Sequence, residues 1–233
     1  MNLIFDIGAN VGEYLQEMMR RNPGCKFVAV EPQVTLFNKL ISDFDSSVVT
    51  AYNKAVSSSE GTATLFHCKE DTSISSIDSD FLSKSCFAAS EKIINGKAFK
   101  DHYNFGDPIE VETITIDSLI ETHGVPDLLK VDIEGHEYEA FLGLTQKIPL
   151  VTFEWHEPLR DKIVKSVEYL SSIGFTLFST EIWYVSKEYH DEEITDYKPI
   201  DDFVSLFNEY LDRDVPDIND REWTQRSGMV WAK

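Results

Sequence analysis

Apolar residues in this chain follow two rhythms that alternate from end to end. Short continuous runs, such as Leu3-Ile4-Phe5 and Phe27-Val28-Ala29-Val30, read as strands buried on both faces. Between them lie segments with the three-to-four-residue period of amphipathic helices. The pattern predicts strands at Leu3–Ile7, 26–31, 47–53, 127–133, 150–156 and 175–179, and helices at Glu13–Arg21, 36–44, 137–144, 162–172 and 201–211. Segments 61–68 and 109–116 alternate strictly and read as half-buried strands, the second leading into a short helix with Asp117 as its N-cap. Residues 182–185 suit local pairing with the sixth main strand, and 228–232 suit a last strand, antiparallel beside the fifth. Strands alternating with helices predict an α/β fold with a mostly parallel sheet and helices on both faces.

Two stretches break the rhythm. Residues 70–106 carry serines and charges without a sustained period, too long for a plain connection, and are expected to be a lid or substrate-selecting insert. Residues 184–224 are expected to shape the pocket. Neither repeat nor linker divides the chain, so residues 1–233 are taken as a single domain.

The first strand breaks into Asp6-Ile7-Gly8-Ala9-Asn10-Val11-Gly12, a glycine turn in front of a helix, which is how nucleotide-type cofactors are held. Its glycines are expected to let backbone N–H groups approach the ligand. A dinucleotide fingerprint needs a middle glycine to make room for a pyrophosphate, and here that position is Asn10. Asp6 would repel a pyrophosphate and attract a cation. S-adenosylmethionine, with its sulfonium and ammonium groups, suits the turn. Glu31 ends the second strand about 20 residues further on, where an acidic side chain bonds ribose hydroxyls, and Pro32 stiffens the loop beside the adenine.

Two more strand ends carry chemistry: Lys130-Val131-Asp132-Ile133-Glu134-Gly135-His136-Glu137 and Phe153-Glu154-Trp155-His156-Glu157. Ligands in open α/β sheets bind beyond the carboxyl ends of strands, so both clusters belong to the edge that holds Gly8 and Glu31. Strand periodicity puts Lys130 with Asp132 on one face and Glu154 with His156 on one face. If the two strands are neighbours, Lys130 pairs with Glu154 inside the sheet. Glu134 and Glu137 suit the cap of the helix after Gly135.

The 21 basic and 41 acidic residues leave a net charge of −20, a surface that repels phosphate backbones and anionic lipids, so neither nucleic acid nor membrane is an expected partner. No apolar stretch reaches membrane-spanning length, and Met1 leads directly into the first strand without a signal-peptide pattern. Cys25, Cys68 and Cys86 lack metal-ligand spacing and suit reduced thiols in the cytoplasm.

Across roughly residues 3–157, the blocks Phe5 to Gly12, Val30-Glu31-Pro32, Asn53-Lys54-Ala55-Val56, Thr115 to Leu119, Leu129 to Glu137 and Glu154-Trp155-His156 resemble the FkbM-type S-adenosylmethionine-dependent methyltransferases. The resemblance implies a seven-stranded, Rossmann-like class I methyltransferase fold, S-adenosylhomocysteine as product, and O-methylation of a glycan or other small-molecule acceptor, often at a sugar hydroxyl. It implies cofactor contacts from Asp6, Gly8, Ala9, Asn10, Val11, Gly12, Glu31, Pro32, Asn53, Ala55 and Asp132. The helical segment that usually precedes the first strand is missing, which suits either a minimal enzyme or a module of a larger glycan-processing protein.

A sugar hydroxyl is a weak nucleophile, so a general base is expected, with His156 and Glu154 leading and Asp132 and His136 behind them; Lys130 joins this catalytic group. Asp132, Glu154 and His156 are ligands that a divalent ion accepts, but no tight spacing demands one and no metal is expected. Trp155, Trp183, Tyr184 and Trp223 are candidates for stacking on sugar faces. The competing readings are a ribose or RNA 2′-O-methyltransferase, a nicotinamide-dependent oxidoreductase, and a cofactor-binding module without catalysis.

Overall fold

The computed structural model describes residues 1–183, 190–212 and 226–233. In chain order the first half runs β1 (Leu3–Ile7), α1 (Glu13–Arg21), β2 (Lys26–Val30), α2 (Val34–Asp43), β3 (Val49–Tyr52), β4 (Ala55–Val56), β5 (Gly61–Leu65), α3 (Phe81–Lys84), α4 (Cys86–Ala89), β6 (Ile93–Ile94), β7 (Lys97–Ala98), β8 (Ile109–Ile114) and α5 (Ile116–His123). The second half runs β9 (Leu128–Val131), α6 (Glu137–Phe141), β10 (Val151–His156), α7 (Arg160–Ser172), β11 (Phe178–Trp183), β12 (His190–Lys198), α8 (Ile200–Asp212) and β13 (Ser227–Ala232).

The main sheet has the order β12-β11-β13-β10-β9-β1-β2-β3. Strands β3, β2, β1, β9 and β10 are parallel, and β13 inserts antiparallel between β10 and β11. The seven expected strands are therefore present, and β12 adds an eighth on the edge beside β11. The sheet is Rossmann-like, with two antiparallel strands in its far half, β13 inside and β12 on the edge.

Strand alternation divides the core. Phe5, Ile7, Leu129, Val131, Phe153 and Trp155 face α5 to α8, where Leu119, Phe141, Val167 and Phe207 complete the larger cluster. Ile4, Phe27, Ala29 and Leu128 face the other way, against Leu15 and Met18 of α1 and Leu40 of α2. Asp6 and Lys130 stand on this second face as direct register partners.

Several boundaries differ from expectation. The fourth main strand ends at Val131 rather than 133, because the chain turns through left-handed Glu134 and Gly135 (φ 55° and 95°). The sixth covers Phe178–Trp183 rather than 175–179, since regular pairing begins at Phe178 opposite Ala232 and the amides of Thr176 and Leu177 both go to Lys233 O. Ile182 lies within this strand instead of pairing back onto it. The cap of α5 is Thr115, whose hydroxyl accepts from the Ser118 amide, while Asp117 receives the Thr145 amide and hydroxyl.

Residues 70–106 form an ordered insert. Ile74, Phe81, Cys86, Phe87 and Phe99 build a separate apolar cluster that docks on Leu159. The three cysteines are buried and reduced. Among the described residues no helix is long and apolar enough to cross a membrane.

Candidate active site

A cavity of about 690 Å³ opens at the carboxyl ends of the parallel strands. Its floor begins at the β1 turn. Gly8 (φ 78°) has no room for a side chain: a Cβ there would lie 1.8 Å from Asp132 O. The Gly8 and Ala9 amides both donate to Val30 O, and the Asn10 amide donates to Glu31 Oε2 at 3.0 Å. The turn therefore spends these N–H groups inside the fold rather than aiming them at a ligand, which corrects the expectation from the glycine pattern. Gly8, Ala9, Asn10 and Val11 line the cavity. Gly12 does not; it caps α1, and a Cβ would strike the Phe44 ring.

Glu31, Pro32 and Ala55 line the same end. Burial pushes the Glu31 carboxyl up to about 7, against hydrogen bonds from the Gln33 and Asn10 amides. Asn53 stands behind this wall, its side-chain amide donating to Glu31 O and Pro32 O at 3.0 and 2.8 Å, so it braces the loop.

Lys130 does not pair with Glu154. Its register neighbour on β10 is Thr152, and Glu154 lies two residues beyond. Its ammonium instead reaches Asp6 Oδ1 at 3.2 Å, Asp132 Oδ2 at 3.3 Å and Gly8 O at 3.1 Å. Burial favours a neutral lysine, but the Asp132 and Asp6 carboxylates outweigh it and hold the ammonium above its ordinary range. Asp6 is fully buried below the cavity and answers Lys130 rather than a ligand. Asp132 lines the cavity. Burial raises its pKa, yet Lys130 and a hydrogen bond from Glu154 keep it below the usual carboxylate range.

Glu134 and Glu154 continue the wall. His156 lies behind them, with Nε2 3.1 Å from Glu154 Oε2 and 3.2 Å from Glu134 Oε2. Burial pulls the imidazole pKa down, but the two carboxyls hold it well above its ordinary value, so His156 is an imidazolium. Burial raises the Glu154 pKa well above the ordinary range, and the charges of Asp132 and Glu134 add to this. Burial likewise takes Glu134 up to about 7 against the opposing pull of His156. The ligand atoms of Glu134, Glu154 and His156 lie within 4.8 Å of one another, a set of oxygen and nitrogen donors that a divalent ion could accept.

Glu137 turns back rather than lining the cavity, accepting from the Ile133 and Gly135 amides and so fixing the loop that carries Glu134. His136 lies outside the cavity: its Nε2 is 3.1 Å from Ser57 Oγ, and its Nδ1 3.7 Å from Asp78 Oδ2 of the insert. Trp155 is buried, with Nε1 donating to Thr180 Oγ1, and presents no face for stacking. Tyr184, Trp223 and the Trp183 side chain lie outside the described residues.

The domain model of the methyltransferase FkbM domain matches residues 6–207. The chain belongs to the FkbM methyltransferase family. The crystal structure of methyltransferase FkbM from Methylobacillus flagellatus KT covers all of this FkbM-family chain with 43% of its own length, at a TM-score of 0.51 and 14% identity, and shares its fold. The family member described here thus spans less than half of that protein. Precorrin-6y C5,15-methyltransferase from Geobacter metallireducens GS-15 aligns with 100% of the chain and 79% of its own (TM-score 0.44, 11% identity). A SAM-dependent O-methyltransferase from Thermotoga maritima aligns with 99% and 58% (TM-score 0.40, 12% identity). No curated protein matches the sequence.

The FkbM-family site also contains residues that the motifs do not mark. Tyr14, in the first turn of α1, lines the cavity with a buried hydroxyl that has no partner, and the Lys130 ammonium sits 5.6 Å from its ring centre. Thr152, Glu181, Met229 and Trp231 form the far wall. They come from alternating positions on three strands, and only the sheet order brings them together.

Proposed function

We propose that this chain transfers a methyl group from S-adenosylmethionine to a hydroxyl of a sugar or related small polyol. The observation that carries the reading is one continuous cavity whose wall runs from Glu31 and Pro32 at one end to Asp132, Glu134 and Glu154 at the other. The residues suit the cofactor: Glu31 is an acceptor for ribose hydroxyls, ionised Asp132 faces the cationic end, and the orphaned Tyr14 hydroxyl offers a hydrogen bond to the amino-acid end. When bound, S-adenosylmethionine supplies an electrophilic methyl group on sulfur.

What remains for the protein is to align an oxygen with that methyl and to take its proton, and alignment alone supplies about 7–11 kcal/mol. Glu134 is the base that fits. It lines the cavity, its Oε2 lies 3.2 Å from His156 Nε2 without a well-aligned hydrogen bond, and at about 7 it changes charge at working pH. His156 already carries a proton on this side of the sheet and serves to position Glu134 and Glu154. Glu154, holding its own proton, donates to Asp132 and keeps that carboxylate oriented.

The test is incubation of the full chain with methyl-labelled S-adenosylmethionine and a panel of methyl glycosides, read by mass for one added methyl. Transfer to a glycoside is the expected result. Cofactor binding without transfer to any hydroxyl compound would favour a non-catalytic module, and transfer to RNA alone would favour the ribose reading.

A further inference from the structure

Beyond β10 the cavity wall is a stretch of sheet. Thr152 of β10 lies opposite Trp231 of β13, and Trp231 lies opposite Ser179 of β11. On the next rung of the same face, Met229 stands between Glu154 and Glu181. The reverse face of these strands, with Phe153, Trp155 and Val230, belongs to the main core.

Three residues on this wall call for a ligand. Thr152 is 0% exposed and its Oγ1 has no hydrogen-bond partner, an unfavourable state for a buried hydroxyl that a ligand bond would relieve. Trp231 is only partly buried: it packs against the second apolar cluster and contributes an indole to the cavity wall. Glu181 stands diagonal to Trp231 across the β11–β13 pair, about 7–8 Å away by strand geometry, and lines the same space. An indole gives a flat apolar surface for the C–H face of a saturated ring. A carboxylate and an orphaned hydroxyl beside it take up that ring's hydroxyl groups. A cationic ring fits less well, because the register neighbour of Thr152 is the ammonium of Lys130.

We propose that Trp231, Glu181 and Thr152 form the acceptor subsite and take a neutral pyranose ring, stacked on the indole with its hydroxyls bonded to Glu181 and Thr152. The subsite rests on the sugar O-methylation proposed above and adds to it the residues that select the acceptor. It lies on the same wall as Glu154, one strand from Asp132, so a ring seated there presents its near hydroxyl to the Glu134 end of the cavity.

The experiment uses the full chain saturated with S-adenosylhomocysteine. Methyl glycosides of glucose, galactose, mannose and rhamnose are the probes, methyl glucosaminide is the cationic control, and binding is read by saturation-transfer NMR and titration. At least one neutral glycoside should bind through its ring C–H protons. W231A should weaken it about tenfold and W231F less; T152V and E181Q should weaken it about three- to tenfold. Each variant should keep S-adenosylhomocysteine affinity within about twofold, and in turnover the loss should fall on KM rather than kcat. The subsite is overturned if no neutral glycoside binds the wild type, if W231F and T152V both bind as the wild type does, or if the glucosaminide binds best and E181Q abolishes it. Methylation of a glycoside with an unchanged KM in W231A would remove the subsite and leave the proposed function standing. Retained S-adenosylhomocysteine binding with methylation of no glycoside but of another alcohol would remove the sugar reading itself.

Discussion

Glu134 sits between two opposing influences, burial that favours its acid form and the His156 imidazolium that favours its carboxylate, and the balance lies at about 7. A group so poised exchanges a proton readily at neutral pH, and losing a general base typically costs about 10²–10⁴ in rate. E134Q keeps the shape and removes the proton acceptor. Its kcat should fall about a hundredfold or more, S-adenosylhomocysteine affinity should hold, and the rising limb of the pH–rate profile near 7 should vanish. An E134Q enzyme that keeps both rate and limb would dismiss Glu134 as the base. Lys130 makes a different prediction, because its ammonium is the shared counter-charge of Asp6 and Asp132. K130M leaves the buried Asp6 and the cavity-lining Asp132 without their counter-charge and should lose about 3–5 kcal/mol of stability, visible as a lower urea midpoint. The second substitution D6N should restore part of that loss, since it removes one of the two stranded charges; a double variant no more stable than K130M would contradict the pairing.

At the scale of elements, the insert 70–106 is tied to the site by polar contacts as well as by its own apolar cluster. Ser76 Oγ donates to Glu134 O at 2.7 Å, and Asp78 receives Lys162 Nζ beside His136. Burial works against the Asp78 carboxylate, yet His136 and Lys162 bring it down to about 2, so it stays charged at any working pH. D78N should loosen the insert and the loop that carries Glu134 together. Limited proteolysis within 70–106 should speed up, and saturating S-adenosylhomocysteine should slow it only in part. Equal cleavage rates in D78N and wild type would separate the insert from the loop. This coupling was hidden in the sequence, because residues 70–106 have no period and Asp78 meets Lys162 only across 84 positions. The strands with continuous apolar runs were legible, as was the position of Gly8, Glu31 and Asp132 at one edge of the sheet, since burial and turn geometry write themselves into local pattern. His136 and His156 were misplaced for a shared reason: a strand-end histidine signals proximity to the edge but not whether it faces the cavity or the layer behind. Trp231 and Glu181 were silent: 228–232 reads as an antiparallel strand beside the fifth, as the structure has it, but the meeting of these two side chains depends on β11 pairing with the far side of β13 in a register that no local pattern marks.

For the whole molecule, burying so many acids at one sheet edge ties stability to pH in an unusual direction. Glu31 and Glu134 at about 7 and Glu137 at about 8 hold their protons to higher pH when folded than the ordinary 4.5 would allow. Between those limits the folded state binds more protons than the unfolded chain, so stability falls as pH rises. His156 has the same sign above its ordinary 6.5. Asp78 and Asp132 have the opposite sign, but their window closes below the ordinary 3.8. For Glu31 alone the loss approaches about 3 kcal/mol by pH 8, equivalent to roughly 10 °C in Tm for a chain of this size. The net charge of −20 pushes the same way through surface repulsion. Salt separates the two causes, because it screens exposed charges and leaves buried ones almost untouched. Melting curves at pH 5 and pH 8 in high salt should therefore still differ by several degrees. E31Q, which cannot ionise, should narrow that gap and also weaken S-adenosylhomocysteine binding. A Tm that stays level or rises from pH 5 to 8 in high salt, or an E31Q gap as wide as the wild type's, would refute the assignment of a proton to buried Glu31.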